Sequence, residues 1–357
     1  MADGSLLMVG LEGPELTLAE ARRYQQLQPA GYILFSRNIS SPQQTRKLTD
    51  DLRELHGGLS PIIAIDQEGG RVTRTKEIAP AAPSAATLAK HGDMGLIADA
   101  ATHTADLLRL LGCNLNLAPV LDIDHHPTEP NALRGRCWGD HSQNVIDRAG
   151  HWNRWLRKRH ISGCAKHFPA GGRAKSDPHY DLPRCNATLD ELLADDVLPY
   201  TALMPELDAI MLTHIEFPNI DPDRPASLSS IVIRRLLRDQ LGFDNHLVLT
   251  DDLDMEAIQQ RYRDSEDARL AIEAGNDVAL ICHQTERAEE AAAAIATLPH
   301  GLRDDALRRI ERFRDKRLHA PLTWSDAQWH KACGALEMLG RELPEENHEA
   351  QSPVEDY

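Results

Sequence analysis

Two short stretches carry groups that could do chemistry. At 247–252 the apolar run Leu-Val-Leu ends abruptly in Thr250, Asp251 and Asp252. A helical pattern over 229–241 and the stop Gly242 precede it, so the run reads as a buried parallel strand. Carboxylates at the C-terminal end of such a strand lie where α/β sheets and barrels bind ligands. One of the two is as well placed to cap the helical pattern that starts near Leu253. The second stretch, 169–179, is Pro-Ala-Gly-Gly-Arg-Ala-Lys-Ser-Asp-Pro-His. In an extended turn Asp177 and His179 point to the same side. A carboxylate there orients the imidazole and raises its proton affinity. Standing alone, the stretch would equally be a surface Asp-Pro turn with an incidental histidine.

What positions these groups is a repeating pattern. Apolar, β-branched runs fall at 6–11, 31–35, 61–65, 113–123, 163–168, 209–213, 247–250 and 277–282, with helical patterns between them. Thr17-x-x-Glu20 and Thr188-x-x-Glu191 have the form of capping boxes. Ser41-Pro42 is an N-cap with proline at the first helical position, and Gly275 stands where a helix hands over to the last strand. Eight strand–helix alternations predict an α/β fold, a (β/α)8 TIM-type barrel, with a doubly wound open sheet as the alternative. Each run ends in polar or ionisable residues: Glu12, Arg37-Asn38, Asp66-Gln67-Glu68, Asp122 to Asp124, Lys166-His167, His214, Asp251-Asp252 and His283. A barrel would gather all of them around one mouth. The connections at 76–112, 124–161 and 169–209 are long, which in a compact domain usually signals function.

The chain has 357 residues, long enough for one such barrel, and 41% of them are hydrophobic. Its formal net charge of −16 argues against nucleic acid or an anionic membrane as partner. The start MADGSLLMVGLEG has no basic region followed by a long apolar segment, and no run approaches membrane-spanning length. The six cysteines are scattered without a C-x-x-C pair, so a disulfide framework and a cysteine zinc site are both poorly supported. A reducing cytoplasm is the expected compartment. Six acidic residues follow Arg341 in a Pro/Glu/Gln-rich stretch. The expectation is therefore a catalytic domain over 1–335 and a disordered acidic tail over 336–357.

The order and spacing of several motifs resemble glycoside hydrolase family 3, in its single-domain bacterial β-N-acetylglucosaminidase form that recycles muropeptides. They are GYILFSRN at 31–38, IDQEGGRVTR at 65–74, NLAPVLD at 116–122, RCWG at 136–139, KHFP at 166–169, Asp177-x-His179, PASLS at 225–229 and TDDLDM at 250–255. The resemblance covers about 6–282. It implies Asp251, the first aspartate after Thr250, as nucleophile, His179 as general acid/base and Asp177 as its partner. It implies Asp66, Arg74, Arg136, Lys166 and His167 as the residues that hold N-acetylglucosamine ahead of the scissile bond. The chain departs from the family loop K-H-F-P-G-H-G, because Ala170 and Gly171 replace the Gly-His and Arg173 follows Gly172. Pro178 stands where serine is usual.

Such a site would hydrolyse terminal β-linked N-acetylglucosamine from cell-wall saccharides through a glycosyl–Asp251 intermediate, with retention. A histidine suits the acid/base role because its pKa lies near neutrality. No cofactor or metal is expected. Three alternatives stay open. A phosphorylase could use the same residues, and an inactive homologue could still bind sugar. A metal-dependent hydrolase could read His167, His214 and Asp251 as ligands, with Asp124-His125-His126 as a second cluster.

Overall fold

The computed structural model describes residues 4–57, 60–127, 131–174, 182–262 and 265–345. Eight strands close into one parallel barrel, in chain order around the ring. They are β1 (Leu7–Val9), β2 (Gly31–Leu34), β3 (Ile62–Ile65), β6 (Leu115–Asn116), β7 (Ser162–Phe168), β8 (Ala209–Leu212), β9 (Leu247–Asp252) and β10 (Val278–Ile281). β10 closes the ring by pairing Ala279 with Leu7. A small antiparallel hairpin, β4 (Gln67–Gly69) with β5 (Val72–Thr73), sits just beyond β3. The parallel barrel is thus as expected, and the open-sheet alternative is excluded. Strand residues are buried nearly throughout, as a sheet covered by helices on one side and filled on the other requires.

The helix starts follow the local chemistry. Thr17 caps Leu18–Leu27 by accepting from the Glu20 N–H, and the Glu20 carboxylate returns to the Thr17 N–H. Thr188 and Glu191 repeat that reciprocal bonding at Leu189–Ala194. Ser41 caps Pro42–Glu54, with Pro42 at the first position. Gly275 ends Glu266–Ala274 at φ 115°, a conformation that favours glycine. Two elements differ from expectation. After Asp252 the chain turns before the short helix Glu256–Gln259, whose N-cap position is Met255 without a side-chain bond. Neither Asp251 nor Asp252 therefore caps a helix. The apolar run at 113–123 contributes only Leu115–Asn116 to the regular ladder, because Pro119 has no N–H to give it.

Two local irregularities fall near the C-terminal ends of barrel strands. Between Ala165 and Phe168, β7 carries one residue more than β8 opposite, where Ile210 and Leu212 pair. Between Leu249 and Asp252, β9 likewise carries one more than β10, where Val278 and Leu280 pair. Each is a bulge, and each falls on a neighbouring pair of ionisable residues, Lys166-His167 and Asp251-Asp252.

The expected domain boundary at 336 falls inside the helix Asp326–Glu342. That helix packs on Met94–Leu111 and buries Trp329, Ala332, Leu336 and Leu339. Leu343 is also buried, and the Glu345 carboxylate accepts from the Ser84 hydroxyl at 2.9 Å. The packed domain thus reaches Glu345: an apolar stripe at helical spacing outweighs the acidic composition. Among the described residues no helix is long and apolar enough to cross a membrane.

Candidate active site

The C-terminal ends of the strands open into one pocket. Asp66, Arg74, Arg136, Lys166, His167 and Asp251 all line it. These are six of the eight residues singled out from the sequence. The other two, Asp177 and His179, lie outside the described residues, as do the neighbouring loop positions 175–181. Strict alternation along a strand would send only one of two successive side chains to a given face. Yet Lys166 and His167 both line the pocket, and so do Asp251 and Asp252. The one-residue bulges in β7 and β9 are what turn both members of each pair inward.

One wall is a buried ion cluster. Lys166 Nζ lies 2.6 Å from both Asp66 Oδ1 and Glu68 Oε1. Arg136 grips Glu68 with two donors, Nε and a terminal nitrogen, each at 2.8 Å. Arg74 reaches Asp66 Oδ2 at 3.4 Å. Burial opposes the charge on Glu68, but Arg136 and Lys166 outweigh it and hold the carboxyl well below its ordinary range. Burial likewise disfavours the Lys166 ammonium, and Asp66 with Glu68 more than restores it. Three cations against two carboxylates leave the wall formally one positive charge in excess.

The opposite support comes from Asp122. Its Oδ2 accepts from His167 Nδ1 at 2.7 Å and its Oδ1 from the Gly171 N–H at 2.6 Å. The proton of a neutral His167 is thereby fixed on Nδ1, leaving Nε2 an acceptor. Gly171 is tightly fitted: a Cβ there would stand 2.8 Å from Asp122 Oδ1. A Cβ on Gly172 would stand 1.9 Å from the Ile123 carbonyl oxygen. The small residues at 170–172 let this loop lie directly on the strand end. Asp251 itself accepts from the Asp252 N–H at 2.9 Å through Oδ1.

The metal-ligand alternatives find little support in this geometry. Both ring nitrogens of His214 are engaged, with Ser227 Oγ at 2.7 Å and the Asp252 carbonyl at 2.9 Å. His125 turns away to Asp196, at 2.8 Å, and groups with Asp195 and Asp196. Arg173 already neutralises Asp196 at 2.5 Å, so that group reads as a polar anchor for the loop. Glu68 has no assigned role in the sequence reading. The signal is present in the chain, since Glu68 stands two residues after Asp66, and both carboxylates reach Lys166 Nζ.

A closed parallel barrel with convergent ionisable groups at its C-terminal mouth defines a barrel enzyme. The chain belongs to glycosyl hydrolase family 3: the family's N-terminal domain matches residues 4–313. It is a glycoside hydrolase. A β-hexosaminidase of Thioalkalivibrio sulfidiphilus is 31% identical over 346 residues, covering 93% of this chain and 96% of that one. Among solved structures, a family 3 β-N-acetylglucosaminidase from Paenibacillus sp. FPU-7 superposes with a TM-score of 0.88 at 31% identity. That match covers 95% of this chain and 68% of the other. Neisseria gonorrhoeae NagZ in complex with N-trifluoroacetyl-D-glucosamine gives a TM-score of 0.81 at 27% identity, covering 95% and 98%.

Proposed function

We propose that this protein is a retaining exo-β-N-acetylglucosaminidase acting on terminal β-linked N-acetylglucosamine of cell-wall-derived saccharides, muropeptides included, in the cytoplasm. Asp251 attacks the anomeric carbon and forms a glycosyl ester. His179, partnered by Asp177, protonates the leaving oxygen and then activates water. Asp66, Arg74, Arg136, Lys166 and His167 hold the sugar. The cluster of Asp66 and Glu68 with Lys166 keeps their donors and acceptors in fixed directions, which lowers the cost of binding a hydroxyl-rich ring. The observation that carries this reading is the convergence of Asp251 with those five residues on one pocket. It is supported by the names of the relatives and by the sugar analogue held by the gonococcal structure.

The test is a panel of aryl N-acetylglucosaminides, glucosides and xylosides, with and without phosphate. Turnover of the first with retention, independent of phosphate, is the expected result. Phosphate-dependent release of a sugar 1-phosphate would make the enzyme a phosphorylase, and binding without turnover would make it an inactive homologue. His179→Ala should lower the rate on poor leaving groups by roughly 10²–10⁴-fold while largely sparing good ones.

A further inference from the structure

Asp252 follows the nucleophile, lines the same pocket and caps no helix. Its own contacts are unusually complete. Its N–H donates to Asp251 Oδ1. Its carboxylate accepts from the Asp254 N–H at 2.9 Å. Its carbonyl faces His214 Nε2 at 2.9 Å. A carbonyl only accepts, so His214 carries its proton on Nε2, and its Nδ1 accepts from the Ser227 hydroxyl. On the other side, Arg37 donates to His283 Nδ1 at 2.9 Å. A guanidinium only donates, so His283 also carries its proton on Nε2, 3.4 Å from Asp252 Oδ2. Arg37 is in turn anchored on the carbonyls of Leu11, at 2.8 Å, and Cys282, at 2.6 Å.

Two imidazoles of fixed tautomer, one following β8 and one following β10, thus converge on a single residue of β9. The bulge explains the need. Between Leu249 and Asp252 the ladder to β10 is out of register, so regular strand pairing does not fix the backbone there. His214 is fully buried and is not among the residues that line the pocket.

We propose that Asp252 is the positioning residue of the nucleophile: hydrogen-bonded at its carbonyl by His214 and flanked at its carboxyl by the His283 ring at 3.4 Å, it sets the direction of the Asp251 carboxylate. The proposal rests on Asp251 being the nucleophile. Burial, then the neighbouring Asp254 and Asp251, push the Asp252 carboxyl above its ordinary range. Asparagine is the conservative variant because it keeps the side-chain oxygen that accepts from the Asp254 N–H. Burial and Arg37 hold the His283 pKa down to about 4, consistent with a neutral ring.

The experiment measures kcat and KM on an aryl N-acetylglucosaminide for the full chain, with thermal melts of every variant. Asp252→Ala should lower kcat about 10²-fold with KM little changed, the scale of a slightly misdirected group. Asp252→Asn should recover most of that loss. His214→Ala should also lower kcat, and His214→Gln should recover it, because the glutamine amide N–H can stand where Nε2 stood. If the alanine variants at 252 and 214 do not fold, His283→Ala decides: it removes only the outer arm and should lower kcat on the order of tenfold. Three results would overturn the proposal. They are wild-type kcat in a folded Asp252→Ala, wild-type kcat in His283→Ala, and an Asp252→Asn as inactive as Asp251→Ala. An active Asp251→Ala would instead overturn the nucleophile assignment itself, whatever the Asp252 series does.

Discussion

Removing the Glu68 carboxylate should unbalance the buried ion cluster on one wall of the pocket. Glu68 accepts three short charge-assisted hydrogen bonds, two from Arg136 at 2.8 Å and one from Lys166 at 2.6 Å. All three side chains are almost completely buried. In Glu68→Ala, Lys166 keeps Asp66, but the Arg136 guanidinium loses both carboxylate bonds and retains the neutral Ala132 carbonyl, at 3.1 Å. Breaking a buried pair by deleting one partner costs about 3–5 kcal/mol, because a charge is left without compensation. Against a typical total of roughly 5–15 kcal/mol, that is a large share. Urea denaturation of wild type and variant reads the loss directly, and kcat/KM should fall with it as Arg136 loses its direction. The double change Glu68→Met with Arg136→Met should recover most of the stability, since a buried pair is often replaceable by apolar residues. It should not recover activity. The reasoning is refuted if Glu68→Ala shifts stability by less than about 0.5 kcal/mol, the range of an ordinary surface change.

Two other substitutions probe the packing around the site and the pH response of the fold. Gly171→Ala should cost about 1–3 kcal/mol in urea denaturation, because the new Cβ meets the Asp122 carboxylate at 2.8–3.0 Å and must displace the residue that orients His167. The same substitution would be harmless if this loop were loosely packed. His56, hydrogen-bonded to the Tyr32 hydroxyl at 3.0 Å, is held at a pKa of about 4 by burial, then by Arg314, against an ordinary 6.5. As pH falls from 6.5 to 4 the unfolded chain takes up a proton that the native ring refuses, so native stability falls across that window and levels off below it. Thermal midpoints against pH should therefore slope less in His56→Gln than in wild type, and equal slopes would contradict the assignment.

The barrel was legible because its signals are local and repeated. Apolar runs at regular spacing, the Thr17 and Thr188 boxes and Gly275 each report their own neighbourhood. Four of the six pocket residues, Asp66, Lys166, His167 and Asp251, are legible from their place at or just after strand ends, which topology brings together, whereas Arg74 and Arg136 lie in connections and are reached only through the family resemblance. What escaped depended on register and on distant partners. Nothing in the sequence shows that β7 and β9 each carry one extra residue, and so that both members of Lys166-His167 and of Asp251-Asp252 face the pocket. Glu68 went unassigned because its meaning lies in Arg136, 68 positions away. The tail was misjudged at 336 because composition reports solvation, whereas Leu336, Leu339 and Leu343 find a partner in Met94–Leu111 and its surroundings. His214 looked like a metal ligand from its type, but its two nitrogens are occupied by Ser227 and Asp252.

The central claim is that Asp251 forms a bond to the sugar. A fluorinated N-acetylglucosaminyl donor with a good leaving group, which slows breakdown of the glycosyl ester, should accumulate a labelled protein. Peptide mass spectrometry should then find the sugar mass on Asp251. Label on another residue, or steady retaining turnover with no label at any time, would contradict the account.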